Sequence, residues 1–289
     1  MQNNSMKDCP QKISTPIDPQ QGFDVAVVVP TVLRPHLRDA LESVYAQDFA
    51  GTIQILIGID KALGRREFLD ELIAAAPAHM HVTVLDPGYS TSKRHGGVHN
   101  CFYGGALRTI LSYLANSRYV AYLDDDDWFA SDHLSSMLAA IPGNDWAYSQ
   151  RWYGHPNKFQ GLCIDAWESV GPGKGIYKES FGGFVAPSCL MLDKIRCEQL
   201  LSLWSVSPFP GGDGEDRLIF DALNKNGFRG AATSNASSYC TLDVNDGNHG
   251  NRLQWMREQG VLNVADWSAT RDRLIGRIAP IKLGSKNEC

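Results

Sequence analysis

Apolar residues fall in short unbroken runs that alternate with runs at helical spacing. Val25-Ala26-Val27-Val28-Val29 is continuous, as in a strand covered on both faces, and Pro30-Thr31 ends it. Leu37, Leu41, Val44 and Tyr45 then recur at helical spacing, which predicts a helix from about Pro35 to Gln47. A second strand, Ile53 to Ile59, finishes at Asp60. Phe68, Leu69, Leu72 and Ile73 mark a helix closed by Pro77, and His81 to Leu85 is a third strand. The series predicts an α/β fold: a single, mostly parallel sheet flanked by helices. A polar, glycine-rich stretch, 86–97, precedes a helix from about Gly105 to Asn116, and Tyr119 to Leu123 is a fourth strand. Leu134, Met137, Leu138 and Ile141 mark a helix stopped by Pro142-Gly143, and Trp146-Ala147-Tyr148 opens another strand.

Beyond Gly154 the periodicity fades. Glycines accumulate up to Gly183 among Trp152, Tyr153, Phe159, Trp167, Tyr177, Phe181 and Phe184, which read either as core plugs or as the wall of a cleft. Leu218, Ile219, Ala222 and Leu223 define a helix opened by Asp213-Gly214-Glu215-Asp216. The tail carries Trp267, Leu274, Ile275 and Ile278 beside Arg271, Arg273, Arg277 and Lys282, the pattern of a packed terminal helix with an exposed basic face, or of a membrane-surface helix. The expected organisation is a disordered lead over 1–22, a catalytic domain over 23–235, and a loop and helical extension over 236–289.

Into this frame the fourth strand inserts its chemistry. Tyr119 to Leu123 runs directly into Asp124-Asp125-Asp126-Asp127 and Trp128. Adjacent carboxylates repel, and taking them from water raises that cost unless a cation sits among them. A solvated loop is one reading. A divalent-metal site is the other, at the carboxyl end of a parallel strand where open α/β sheets place ligands. Mn2+ and Mg2+ favour such hard oxygen donors and leave positions open for substrate phosphates.

Composition narrows the classes. With 27 basic and 32 acidic residues the net charge is −5, which argues against an extended nucleic-acid surface. No apolar run approaches the length of a membrane span, and the amino terminus has no signal-peptide core. The seven cysteines are scattered without a CxxC pair, as reduced thiols would be. These features fit a cytoplasmic protein, peripheral association with the inner face of a membrane being left open. The dinucleotide fingerprint GxGxxG and the phosphate loop GxxxxGK[ST] are both absent after the first strand.

Several spaced residues then point one way. Val28-Val29-Pro30-Thr31 with Arg34, followed by Leu41, Ser43, Val44 and Gln47, resembles the opening of the inverting GT-A fold glycosyltransferases of family 2. Arg108 stands 16 residues before Asp124, Asp124-Asp125-Asp126 satisfies the family's Asp-x-Asp pattern, and Leu134 follows in place. Gly214-Glu215-Asp216, with Leu218 and Gly227, is similar to the family's late acidic motif. The chain departs from the pattern after the second strand, where Asp60 is followed by Lys61-Ala62, and beside Arg108, where Thr109 and Leu111 replace the usual Asn and Gly.

The resemblance implies roles. Pro30, Thr31 and Asp60 would line the pocket of a nucleotide base, Asp60 favouring uracil by accepting its imide hydrogen, and Arg34 would belong to the donor-binding residues. Lys93 and Arg108 would meet phosphate or sugar. Asp126 would bind the metal directly and Asp124 would bind ribose or metal, with Asp125 beside them. Asp127 would orient the sugar or cap the next helix. Asp216 would be the catalytic base, Glu215 would hold acceptor hydroxyls, and His249 would be a late third metal ligand. A carboxylate in the first turn of a helix is expected to have a lowered pKa, which makes Asp216 a weak base. Carboxylates near Asp165 and Glu168 are the reserve candidates.

The expected activity is metal-dependent transfer of a sugar from a UDP-sugar to the hydroxyl of a carbohydrate or other acceptor, as in surface-polysaccharide assembly. A sugar nucleotidyltransferase and a non-catalytic saccharide-binding module are the alternatives. The loop Pro30 to Pro35 lacks the glycine-rich activating sequence of the first.

Overall fold

In the computed structural model, residues 22–155, 159–244 and 246–261 are described. The expected amino-terminal lead and the basic tail helix lie outside them. Strand β1 (Phe23–Thr31), helix α1 (Leu37–Tyr45), β2 (Ile53–Ile59), α2 (Arg66–Ala74), β3 (Met80–Leu85), α3 (Gly105–Leu114) and β4 (Ser117–Tyr122) follow the predicted order. Then come β5 (Trp128–Phe129), α4 (His133–Ala140), β6 (Trp146–Gly154), β7 (Gly161–Ile164), β8 (Gly171–Pro172), α5 (Lys178–Phe181), β9 (Gly183–Phe184) and β10 (Leu190–Asp193). Helix α6 (Glu215–Lys225), β11 (Gly230–Thr241) and α7 (His249–Glu258) are the last of the described elements.

The main sheet has the order β3-β2-β1-β4-β10-β6-β11-β5, and β7 pairs with β6. Its first half matches the expectation: β1 runs parallel to β2 and β4, and β2 parallel to β3. The second half corrects it. Strand β10 lies antiparallel to both β4 and β6, and β11 antiparallel to β5, so the sheet is mixed rather than mostly parallel. The continuous apolar runs of β1 and β2 are buried along nearly their whole length because helices cover both faces. One face packs Val25, Val27, Val29, Ile55 and Ile57 under α1 and α2. On the other, Val28, Leu56, Tyr122 and Trp146 meet Leu111 of α3 and Ile219 and Phe220 of α6.

Residue contacts divide the chain into a larger unit (up to Trp152, and Ile164–Cys240) and a smaller one (Tyr153–Cys163 and from Thr241 on). The smaller unit has its own apolar cluster of Tyr153, Leu242, Leu253 and Met256. Among the described residues no helix is long and apolar enough to cross a membrane.

Candidate active site

Register brings the candidate residues to one edge of the larger unit. Thr31 at the end of β1 pairs with Ile59, and the next residue, Asp60, donates its N–H to the Thr31 carbonyl at 2.9 Å. On the other side of β1, Leu123 donates to the Val28 carbonyl, so the acidic run leaves β4 beside the loop that follows β1.

That loop is held rigidly. Leu33 adopts φ 61°, a left-handed conformation costly for a branched side chain, while its side chain is buried in the core. The Thr31 hydroxyl accepts the Leu33 N–H at 2.8 Å and donates to Asp125 Oδ2 at 2.7 Å; the Val32 N–H approaches the same oxygen at 3.3 Å. Opposite the loop, Gly64 is the only residue type that fits, since a Cβ there would stand 1.9 Å from the Leu33 carbonyl oxygen.

The four carboxylates do not form one cluster. Asp125 is buried, and its second oxygen receives Arg34 Nε at 3.1 Å. It braces the loop after β1 rather than facing solvent. Burial pushes its carboxyl up to about 7, against the opposing pull of Arg34. Asp126 accepts from Arg34 Nη1 at 2.6 Å, and a quarter of its side chain remains exposed. Crowding still raises its pKa by desolvation, with Arg34 opposing. Asp127 is buried and accepts from the Ser188 hydroxyl at 2.8 Å. Asp132, not Asp127, stands at the start of α4, so the capping expectation fails. Asp124 pairs with Arg108 and has 30% of its side chain exposed.

Arg108, on α3, connects this run to the late motif. Its guanidinium reaches Asp124, the Tyr103 carbonyl at 2.7 Å and Glu215 at 3.2 Å, and lies 5.5 Å from the Trp204 ring centroid. Glu215, expected to face an acceptor, is instead buried on this arginine. Burial and the neighbouring Asp216 push its carboxyl up to about 8. Helix α6 begins where Gly214 takes φ 87°, a turn that also presses it against Phe209. Asp216 follows, partly exposed, with Arg217 Nε at 3.7 Å and the Arg217 N–H on its Oδ1 at 2.7 Å. Its pKa is raised: desolvation outweighs the stabilisation from Arg217 and the helix start, contrary to the lowered value expected.

Arg217 itself lies 5.2 Å from the Tyr177 ring and 5.3 Å from that of Phe209, and pairs with Asp213 at 2.9 Å. Tyr177 also meets Phe181 and Phe184 edge-on, so part of the aromatic segment flanks the base candidate. Sequence reasoning missed Arg217; an arginine directly after an acidic pair was its only signal. The reserve carboxylates serve structure. Asp165 and Glu168 are buried on Arg151 at 2.9 and 2.7 Å, and Asp165 also caps the N–H groups of Trp167, Glu168 and Ser169.

Asp60 is buried and accepts from the Ser90 hydroxyl at 2.7 Å. Ser90 also lines a cleft of about 580 Å³ with Lys61, Tyr89, Thr91, His95 and His99. Lys93 is exposed in the 3-10 turn that supplies His95, and Pro30 is buried in β1. His249 begins α7 in the smaller unit; it is buried, its two ring nitrogens find no hydrogen-bond partner among the described residues, and desolvation followed by Arg252 lowers its pKa.

Among the described residues no group of three or more His, Cys, Asp or Glu side chains converges as a ready-made metal cage. Asp124 and Asp126 still suit a hard cation. Both are anionic oxygen donors with exposed surface, and Mg2+-type ions are commonly held by one or two carboxylates plus substrate phosphates.

The fold is similar to those of several solved structures. S. aureus TarS matches with a TM-score of 0.53 at 16% identity over 84% of this chain and 41% of that one, so the chain spans about two fifths of TarS. TarS 1–349 in complex with UDP-GlcNAc matches with a TM-score of 0.54 at 14% identity, over 84% and 69% of the two chains. The mannosyltransferase PcManGT from Pyrobaculum calidifontis, in complex with GDP-Man and Mn2+, matches at 0.51 and 16%, over 88% and 66%. No protein-family model and no curated protein matches the sequence.

Proposed function

We propose that this chain is a metal-dependent, inverting glycosyltransferase of the GT-A, family 2 type, moving a sugar from a nucleotide-diphosphate donor to an acceptor hydroxyl. The observation that carries the reading is the Arg108 guanidinium, which joins Asp124 of the acidic run to Glu215, the neighbour of Asp216. Three sequence motifs far apart in the chain thereby share one edge of the sheet. Two structural neighbours, solved with UDP-GlcNAc and with GDP-Man plus Mn2+, share the nucleotide-diphosphate sugar as ligand class.

In this reading Asp126 and Asp124 would hold Mn2+ or Mg2+, which would supply positive charge to offset that gathering on the departing diphosphate. The chain's own groups do the rest. Asp60, kept in place by Ser90, accepts from the base and favours UDP, while Pro30 and Thr31 shape the pocket wall. Lys93 contacts the donor's anionic part. Asp216 takes the proton of the acceptor hydroxyl as that oxygen attacks the anomeric carbon from the face opposite the diphosphate. Its raised pKa suits this task better than that of an ordinary aspartate, because a base works best with a pKa nearer the working pH. The Tyr177 and Phe209 rings that flank Arg217, the next residue, would offer an acceptor sugar apolar surface.

Titration of UDP with and without Mn2+, followed by a hydrolysis screen of UDP- and GDP-sugars, tests the proposal. Mn2+-enhanced UDP binding and release of UDP from one donor are expected. Binding that ignores the metal, with no donor turned over, would overturn it.

A further inference from the structure

The acidic run carries two arginines, and they differ in freedom. Arg108 is 5% exposed and donates to three acceptors on three segments, so it cannot leave without opening the fold. Arg34 has 38% of its side chain exposed and uses two nitrogens for two carboxylates. Its Nε faces Asp125, which is buried and also tied to Thr31 and Val32. Its Nη1 faces Asp126, a quarter exposed. The backbone just before it is fixed by the buried, left-handed Leu33, so any movement is confined to the guanidinium end.

We infer that Arg34 is a built-in counter-cation of Asp126: it neutralises this carboxylate in the metal-free protein and must release it through Nη1 when a divalent ion binds, while Nε stays on Asp125. The inference rests on the metal-dependent reading above and adds a positioning residue to it. A guanidinium and a divalent ion on one carboxylate repel each other; Arg108 is locked in place on Asp124, whereas the half-exposed Arg34 has room to withdraw from Asp126. Once released, Nη1 is a free cationic donor at the end of β1, able to receive an anionic oxygen of an arriving nucleotide. Binding of bare metal is thereby held weak, and binding of metal together with a nucleotide diphosphate is favoured. The device makes the two ligands cooperative.

The test is Mn2+ binding, read from the paramagnetic resonance signal of free Mn2+, for wild type, Arg34→Gln, and Arg34→Gln combined with Asp126→Asn, each with and without UDP. Removing the competing charge should tighten bare Mn2+ binding about tenfold in Arg34→Gln, the change that ~1.4 kcal/mol produces. UDP should then enhance Mn2+ binding less than in wild type, and the double variant should lose the gain. If wild type shows UDP-enhanced Mn2+ binding but folded Arg34→Gln binds bare Mn2+ no better, the inference fails and the proposed function stands. If UDP enhances Mn2+ binding in neither, the proposed function fails first. Should Arg34→Gln not fold, nitrogen-15 spectra of the wild-type arginine side chains decide. Saturation with Mg2+ and UDP should shift the Arg34 Nη signals and leave Nε nearly in place; unmoved Nη signals would overturn the inference.

Discussion

Arg108 donates to Asp124 through one terminal nitrogen and, 107 positions along the sequence, to Glu215 through the other, tying the acidic run after β4 to the first residue of α6. Both partners lose water in this contact, and the guanidinium is the cation that makes the acidic edge tolerable. Arg108→Met should therefore do more than remove a contact. Above about pH 8, where Glu215 is ionised, it leaves a buried carboxylate without its cation, a type of change that costs about 3–5 kcal/mol. Denaturant unfolding of the metal-free protein measures it, and a loss under 1 kcal/mol would show that Asp124 and Glu215 find other partners.

Glu215 gives a pH signature. Its folded carboxyl is pushed up to about 8 from the ordinary 4.5, chiefly by burial. The folded protein thus holds more protons than the unfolded chain between these values. The contribution is fully present below about 4.5, declines as pH rises and is gone above about 8. In the presence of a chelator, unfolding free energy measured from pH 5 to pH 8.5 should fall less steeply in Glu215→Gln than in wild type. Parallel curves would remove the assignment.

The same physical terms separate what the sequence made legible from what it hid. The first strands were legible because the apolar runs 25–29, 55–57 and 119–123 stand at their centres or ends, closed by Pro30, Asp60 and Asp124. Arg108 was legible from a spacing alone. The antiparallel insertion of β10 was not, because Leu190–Asp193 is four residues long and carries no periodicity that distinguishes direction. The four aspartates looked equivalent, yet Asp125 and Asp127 turn inward to Thr31 and Ser188 while Asp124 and Asp126 keep exposed surface. Such a division depends on neighbours distant in sequence. For the same reason the helix-start argument for Asp216 erred: it counted the local dipole and could not count burial.

That division revises the contrast between two substitutions. Asp126→Ala should abolish Mn2+-dependent UDP binding and leave folding close to wild type, since the residue is partly exposed. Asp125→Ala removes the acceptor of Thr31, Val32 and Arg34, so it should lower thermal stability as well as donor affinity. Calorimetry of UDP binding beside thermal unfolding tests both, and equal stability of the two variants would contradict the bracing role of Asp125.

The left-handed Leu33 predicts an effect from a residue outside the site. In Gly64→Ala the new methyl would stand 1.9 Å from the Leu33 carbonyl oxygen, so the loop carrying Thr31 and Arg34 must move. Overpacking of this kind costs about 1–3 kcal/mol. UDP affinity should fall although Gly64 is placed in no ligand role. Wild-type affinity and stability together would mean that the loop is softer than its hydrogen bonds suggest.

Asp216 provides the sharpest test of the chemistry. Asp216→Asn keeps side-chain size and removes the proton acceptor, so UDP and Mn2+ binding should persist. Turnover should drop about 10²–10⁴-fold, the range for losing a positioned base. It should drop in kcat and kcat/KM alike, because the interaction matters mainly in the transition state. Asp213→Asn is the comparison, and the structure changes its meaning. Asp213 holds Arg217 at 2.9 Å, and Arg217 in turn lies 3.7 Å from Asp216 between the Tyr177 and Phe209 rings. Loosening Arg217 should weaken its stabilisation of the Asp216 carboxylate, so Asp213→Asn should move the acidic limb of the kcat profile to higher pH. Its cost at the optimum should be small. Full turnover in Asp216→Asn would sink the base assignment, and Asp165 and Glu168 could not replace it, because both are committed to Arg151 in the core.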